Sequence, residues 1–145
     1  MGHELFYELF PEIAEKETRT IIVRGLDTGV PPGIYPVYEY YCTDPDCDCR
    51  QVYLHIRNDT TQQVEAIISF GWEPIAFYQK WNYGVLDDQL RDFKGPALGF
   101  RMPQGRFAQP WLNYVKHWLK SDKPYVKRLE NHYRMVKASL VTKSF

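Results

Sequence analysis

The side chains best suited to chemistry gather in eight consecutive residues. Cys42, Cys47 and Cys49 lie in the run Tyr-Cys-Thr-Asp-Pro-Asp-Cys-Asp-Cys-Arg, and the chain has no other cysteine. An odd number of thiols in so short a stretch argues against a disulfide framework and for a metal ion. Thiolates in tetrahedral geometry favour zinc, which takes four donors in a structural site. The motif itself supplies three of them.

Four histidines are available for the remaining position. His55 falls on a strand well past Cys49, His117 lies beside an apolar helical stripe, and His3 is near the N-terminus. His132 follows Leu129 by three and precedes Met135 by three, so it borders the buried side of a helix and is expected to face the cysteines. The metal set read from the sequence is therefore Cys42, Cys47, Cys49 and His132, with water or a carboxylate as the other source of a fourth donor. Unpaired thiols and a Cys47–Cys49 redox pair are the competing readings. Asp44, Asp46 and Asp48 oppose the second, because nearby negative charge raises a thiol pKa. An iron–sulfur cluster would ask for a fourth cysteine. The three aspartates open like a calcium loop, but Cys49 and His55 stand where that loop needs Gly and Glu. Their expected role is to solvate the tip and form Asx turns around Pro45.

The elements that must position these residues are legible in outline. Thr20 to Arg24, Tyr35 to Cys42, Gln51 to Arg57 and Val64 to Phe70 are rich in β-forming residues and bounded by turn signals, the first of them by a loop from Asp27 to Gly33. Short connections make an antiparallel four-stranded meander the economical topology, with the cysteines at the tip of its second hairpin strand pair. Placing Tyr40 opposite Val52 and Tyr38 opposite Leu54, then Leu54 opposite Ala66 and Val52 opposite Ile68, gathers apolar groups on one face. Glu39, Tyr53, His55, Arg57 and Glu65 then share the other, with His55 beside Glu65.

Beyond Gly71 the period becomes helical. Pro74 starts a segment with Ile75, Tyr78 and Trp81 in one stripe that ends before Gly84, and a second short helix runs from Asp87 to Phe93 and stops at Gly95-Pro96. Pro96 to Gln109 reads as an ordered surface loop. Pro110 opens a helix whose Trp111, Tyr114, Val115 and Trp118 share a side. Ser121 or Asp122 caps the last helix, in which Val126, Leu129, Tyr133, Val136 and Leu140 recur. Strands first and helices afterwards give an α+β fold, with helices of the C-terminal half on one face of the sheet, and 145 residues suit a single domain over 1–145.

Composition narrows the function without naming it. Hydrophobic residues make up 44% and charged residues 25%, an ordinary globular mixture, while aromatics reach 16%. Formal net charge is zero, yet residues 1–18 carry five Glu against Lys16 and residues 116–145 carry eight Lys or Arg against Asp122 and Glu130. That polarity suits either a basic patch or termini that pack together. No run approaches the roughly 18 apolar residues of a membrane span, and Glu4, Glu8 and Glu12 interrupt any signal-peptide core. A cytoplasmic location is expected.

Tyr-Cys-x4-Cys-x-Cys-Arg at 41–50, Gly-Trp-Glu at 71–73 followed by Phe77-Tyr78, Lys94-Gly95-Pro96 and His132-Tyr133-Arg134 together resemble a family of short bacterial proteins of uncharacterised activity. The resemblance spans nearly the whole length. It implies one domain with a cysteine-based site, and it places a histidine at 132 and not at 55.

The reading is a small zinc-stabilised domain that binds a protein or ligand partner. One alternative is a nucleic-acid-binding protein using Lys116, Lys120, Lys123, Lys127, Arg128, Arg134 and Lys137. The other is a metal-dependent enzyme with an open coordination position, or one using His55 and Glu65 as acid and base. No hydrolase triad order, H-E-x-x-H, phosphate loop or dinucleotide fingerprint is present to support catalysis.

Overall fold

Hydrophobic alternation over three long segments builds the centre of the fold. The computed structural model describes residues 2–25, 29–81 and 87–143. Strands β1 (His3–Leu5), β2 (Thr20–Val23), β3 (Gly33–Cys42), β4 (Gln51–Arg57), β5 (Val64–Gly71) and β6 (Ala97–Leu98) form one antiparallel sheet. The helices are α1 (Phe6–Leu9), α2 (Pro11–Glu17), α3 (Ile75–Trp81), α4 (Asp87–Lys94), α5 (Ala108–Ser121) and α6 (Lys123–Lys143). The α+β class and the β3-β4-β5 meander agree with the sequence. The Asp27 end of the first loop, Gly84 and the side chain of Trp81 lie outside the described residues.

Three strands extend the meander beyond expectation or alter its edge. The sheet runs β1-β3-β4-β5-β6, and β2 also pairs with β3. Both β1 and β2 use the edge of β3 that β4 leaves free: β1 pairs with residues 40–42, β2 with residues 33–36. Ten residues make β3 long enough to carry both. The other edge is closed by the stretch that reads as loop. Ala97 and Leu98 pair with Ser69 and Ile68, and the Gly99 amide donates to the Ile67 carbonyl at 2.8 Å. Further along, Gln104 takes the place of a strand: its Oε1 accepts from the Ile67 amide at 2.9 Å and its Nε2 donates to the Ile67 carbonyl at 3.0 Å. The Gly105 amide then donates to Glu65 O at 2.9 Å. A Cβ at Gly105 would meet that same oxygen at 2.6 Å, so only glycine allows the approach.

The register differs from the expected one. Tyr40 pairs with Tyr53 and Tyr38 with His55, one residue away from the expected alignment. Leu54 pairs with Ile68 and Val52 with Phe70, two residues away. A two-residue shift keeps every β5 side chain on its face, whereas a one-residue shift turns every β3 side chain over. Val37, Glu39 and Tyr41 therefore join Val52, Leu54, Ile56, Ala66, Ile68 and Phe70 in the core. Tyr38, Tyr40, Tyr53, His55 and Arg57 occupy the other face, all half-buried. Both parities of β3 are aromatic, so alternation alone does not choose between them. His55 faces Ile67 and not Glu65, and Glu39 is inside, so the expected cross-strand pair of His55 and Glu65 is not formed.

Helices α5 and α6 cover the core face. Trp111, Leu112, Val115 and Leu119 of α5 and Tyr125, Leu129, His132, Tyr133 and Val136 of α6 are buried. Asp122 joins the two helices: its carboxylate accepts from the Tyr125 amide at 3.1 Å, from Trp118 Nε1 at 3.0 Å and from Arg19 at 3.0 Å. It therefore caps α6 as the sequence suggests. At the end of β4 and β5, Gln51 donates to Phe93 O at 2.5 Å and Ser69 to Asp92 O at 2.9 Å, which fixes α4.

Replacing Gln104 by Ala tests the edge seal. Loss of two backbone partners at Ile67 should lower unfolding stability by about 1–3 kcal/mol. Amide exchange at Ile67 should accelerate, and unchanged exchange there would refute the role.

Candidate metal centre

The cysteines converge because the residues between β3 and β4 fold back on themselves. Asp44 Oδ1 accepts the Asp46 amide at 2.9 Å, the Asx turn expected around Pro45, and the Cys47 amide donates to Asp44 O at 3.1 Å. Arg50 turns the chain into β4 with φ of 47°. Cys42 ends β3, while Cys47 and Cys49 return towards it. The three sulfurs lie within 4.8 Å of one another, and all three thiols are free. Tetrahedral zinc with bonds of about 2.3 Å needs sulfurs about 3.8 Å apart, so closure on an ion calls for shifts of about 1 Å. The three cysteines can hold a metal.

The charges around the tip are tied down from outside. Arg50 donates to Asp48 at 2.9 Å and to Glu73 at 2.6 Å. Tyr133 donates to Asp48 at 2.9 Å, and Lys137 donates to Asp44 O at 2.8 Å. The Asp48 carboxylate and the Asp44 carbonyl thus anchor the loop to α6.

Electrostatics within the trio are uneven. A hydrogen bond from Cys49 lowers the Cys42 thiol to about 5, with the Asp44 amide at 3.5 Å and the Lys137 charge acting in the same sense against burial. The same bond, followed by burial, raises Cys49. Burial and the Cys42 charge raise Cys47. One thiolate shared by two thiols is a preformed start for metal binding, since a divalent ion reverses the preference of the other two.

His132, the fourth ligand read from the sequence, is not brought to the sulfurs. It is fully buried on the core face, with Nδ1 2.6 Å from Glu39 Oε1 and Nε2 2.7 Å from Glu17 Oε1. Phe6 stacks on its ring at 4.0 Å. Both ring nitrogens are held by carboxylates, which leaves neither lone pair for a metal. The helical spacing correctly placed it on the buried side of α6. What the spacing could not say is that Glu39 would be inside to receive it. The other histidines separate cleanly. His117 is exposed, and His55 stacks on Tyr40 at 3.9 Å, lowered to about 4 by burial and then by Arg57. His3 pairs with Cys42 across the β1–β3 ladder.

A cleft of about 380 Å³ beside the cysteine loop was not foreseen. Arg50, Trp72, Glu73, Tyr133 and Arg134 line it, drawn from three segments distant in sequence. Trp72 meets Tyr133 edge-on at 5.2 Å, and Arg50 lies 4.5 Å over the Phe77 ring. Tyr78 donates to Arg50 O at 2.8 Å and presses on Gly71, where any Cβ would collide with its hydroxyl. Gly-Trp-Glu, Phe-Tyr, Cys-Arg and Tyr-Arg are thus one structural unit around the tip.

No family model, curated protein or solved structure matches the chain.

The His132 network yields a pH dependence. Burial pulls the imidazole pKa down, but the hydrogen bonds and charges of Glu39 and Glu17 outweigh it, and the net result lies above the ordinary 6.5. A raised folded value means that the extra stability is complete below pH 6.5 and fades as pH rises through the folded value. His132→Gln should destabilise by about 3–5 kcal/mol at low pH, as for a broken buried pair. Urea unfolding of both proteins across pH should show the difference shrinking upward, and a difference that grows with pH would refute the assignment.

Proposed function

We propose that this protein is a small zinc-stapled domain whose centre is Cys42, Cys47 and Cys49 and whose work is to bind a partner. The convergence of three sulfurs within 4.8 Å carries this reading. Soft thiolate donors select zinc over the hard cations, and their burial suits a structural ion. Cytoplasmic conditions would keep such thiols reduced. Among the described residues, no helix is long and apolar enough to cross a membrane.

The surface offered to a partner is the aromatic face of β3 and β4, where Tyr38, Tyr40, Tyr53 and His55 stay half-buried. Phe100, 73% exposed in the strap after β6, extends the apolar area. Nucleic-acid binding through the basic helices has less support. Arg128 donates to Glu17 O at 3.1 Å, Arg134 pairs with Glu130 at 2.6 Å, and Lys137 is held by Asp44 O. Three of the seven cations thereby serve the fold. The resemblance to short bacterial proteins fits this reading, because Trp72, Glu73, Phe77, Tyr78, Tyr133 and Arg134, which carry part of it, pack beside the cysteine loop.

Elemental analysis of the purified chain should find one zinc per molecule, lost in Cys47→Ser. Free zinc at 100 times its Kd should stabilise the wild type by about 2.7 kcal/mol and the variant not at all. Metal-free wild-type protein whose unfolding ignores added zinc would overturn the proposal.

A further inference from the structure

The geometry points to His3 as the fourth zinc ligand, so that the ion closes strand β1 onto the cysteine loop. This inference rests on the zinc reading above and deepens it. The sequence offers His3 only as a residue near an end. The ladder changes its standing: His3 is the direct partner of Cys42, Glu4 of Tyr41 and Leu5 of Tyr40. Directly opposed residues share a face, with Cβ atoms about 4.5–5.5 Å apart. Tyr41 points into the core, so Cys42 and His3 both project from the opposite face.

The ring already leans the right way. His3 meets Tyr53 edge-on at 4.8 Å between centroids, although Tyr53 is on β4 and β3 runs between them. The two rings therefore meet above β3, on the side where Cys42 projects. The strand is held in place beyond the pair, since the Thr43 amide and hydroxyl both donate to Gly2 O, at 3.3 and 3.1 Å. His3 is exposed, and among the described residues no carboxylate is hydrogen-bonded to its ring, so rotation of the ring away from Tyr53 would bring a nitrogen to the ion.

The rival donors His132 and Asp48 are engaged elsewhere, and one oxygen of Asp44 is taken within the loop. His132 is clamped by Glu39 and Glu17 on the core face. Asp48 is taken by Arg50 and Tyr133, and Asp44 Oδ1 caps the Asp46 amide. A Cys3His set is a closed structural site, which leaves no position for a reacting water. It also explains why a strand of three residues with no buried side chain of its own holds its place at the sheet edge.

The test uses the full chain, with zinc and with cobalt as its spectroscopic substitute. His3→Ala should weaken zinc by at least the roughly 10–100-fold that loss of a supporting partner costs. Its cobalt spectrum should lose tetrahedral character, and zinc should no longer slow amide exchange at Leu5. His3→Cys should restore tight binding, and His132→Gln should leave zinc affinity within about twofold. Wild-type protein that binds zinc, beside a His3→Ala variant with equal affinity and an identical cobalt spectrum, would overturn the His3 ligand alone. Loss of zinc in His132→Gln with retention in His3→Ala would do the same. A wild type that binds no zinc would remove the metal reading and this inference together.

Discussion

A carboxylate faces inward from the middle of the central strand, and the packing around it follows from that constraint. Glu39 is 3% exposed among Val37, Tyr41 and Leu54, where an unpaired charge would cost several kcal/mol. Its Oε1 accepts from Tyr41 at 2.7 Å and meets His132 at 2.6 Å, while Oε2 has no hydrogen-bond partner. One oxygen thus carries the whole compensation, which a protonated His132 supplies most effectively. The second ring nitrogen then calls for Glu17, and the ring face takes Phe6. One polar contact thereby fixes where α6, α2 and α1 meet β3. Buried ion pairs add little net stability against an apolar equivalent, but breaking one is costly. Alternative dockings of α6 would leave Glu39 bare, so the pair selects one arrangement.

How far the sequence reveals this depends on the range of each signal. Strand and helix periodicities are local, and they place β2 to β5 and α3 to α6 within a few residues. The meander follows because its connections are short. Register is not local. Val52, Leu54 and Ile56 face the core whichever way β3 is read, but Tyr38 and Tyr40 look as apolar as Tyr35 and Tyr41. Tyrosine on both parities removes the contrast that normally sets the face. The choice passes to the eight residues between Cys42 and Gln51, whose turn comes from Asx hydrogen bonds and sulfur contacts that no hydrophobic pattern encodes. The register also bears on His132: spacing and the resemblance put a histidine on the buried side of α6, and with Glu39 read as facing outward its carboxylate partner stays hidden. The short strands fail for another reason. His3–Leu5 and Ala97–Leu98 have three and two residues, fewer than a period-two pattern needs to show itself.

The composition signals also change meaning once folded. The acidic start and basic end of the chain do meet: Glu17 reaches His132, Arg128 donates to Glu17 O, and Arg19 pairs with Asp122. The contact that joins a carboxylate of the acidic start to the end of the chain is Glu17 with the His132 ring, whereas Arg128 meets a backbone carbonyl and Arg19–Asp122 has the opposite polarity. The aromatic excess divides in a similar way. Trp111, Tyr35, Tyr41, Tyr78 and Tyr125 fill the interior, where a domain of this size needs large side chains. Tyr38, Tyr40 and Tyr53 do not, and they give the open face its character.

Two fastenings on opposite faces of β3 then act on the same part of the chain. On the core face, position 39 holds α1 and α2 through His132, Phe6 and Glu17. On the other face, position 42 pairs with His3 of β1, and the proposed metal would tie the two together. The residues before β2 contribute few buried side chains, chiefly Phe6 and Ala14, so apolar burial alone fixes them weakly. A short strand on an exposed edge is also the element most prone to fray. Fastening it from both faces gives the N-terminal segment a stability that its own area cannot supply. The two fastenings also answer to different conditions: one weakens when His132 loses its proton, and the proposed one would weaken when the thiols are oxidised or the metal withdrawn. Because β1 and α1 border the aromatic face, with Tyr7 against Tyr38 and His3 against Tyr53, the proposed metal would bear directly on the surface proposed for a partner.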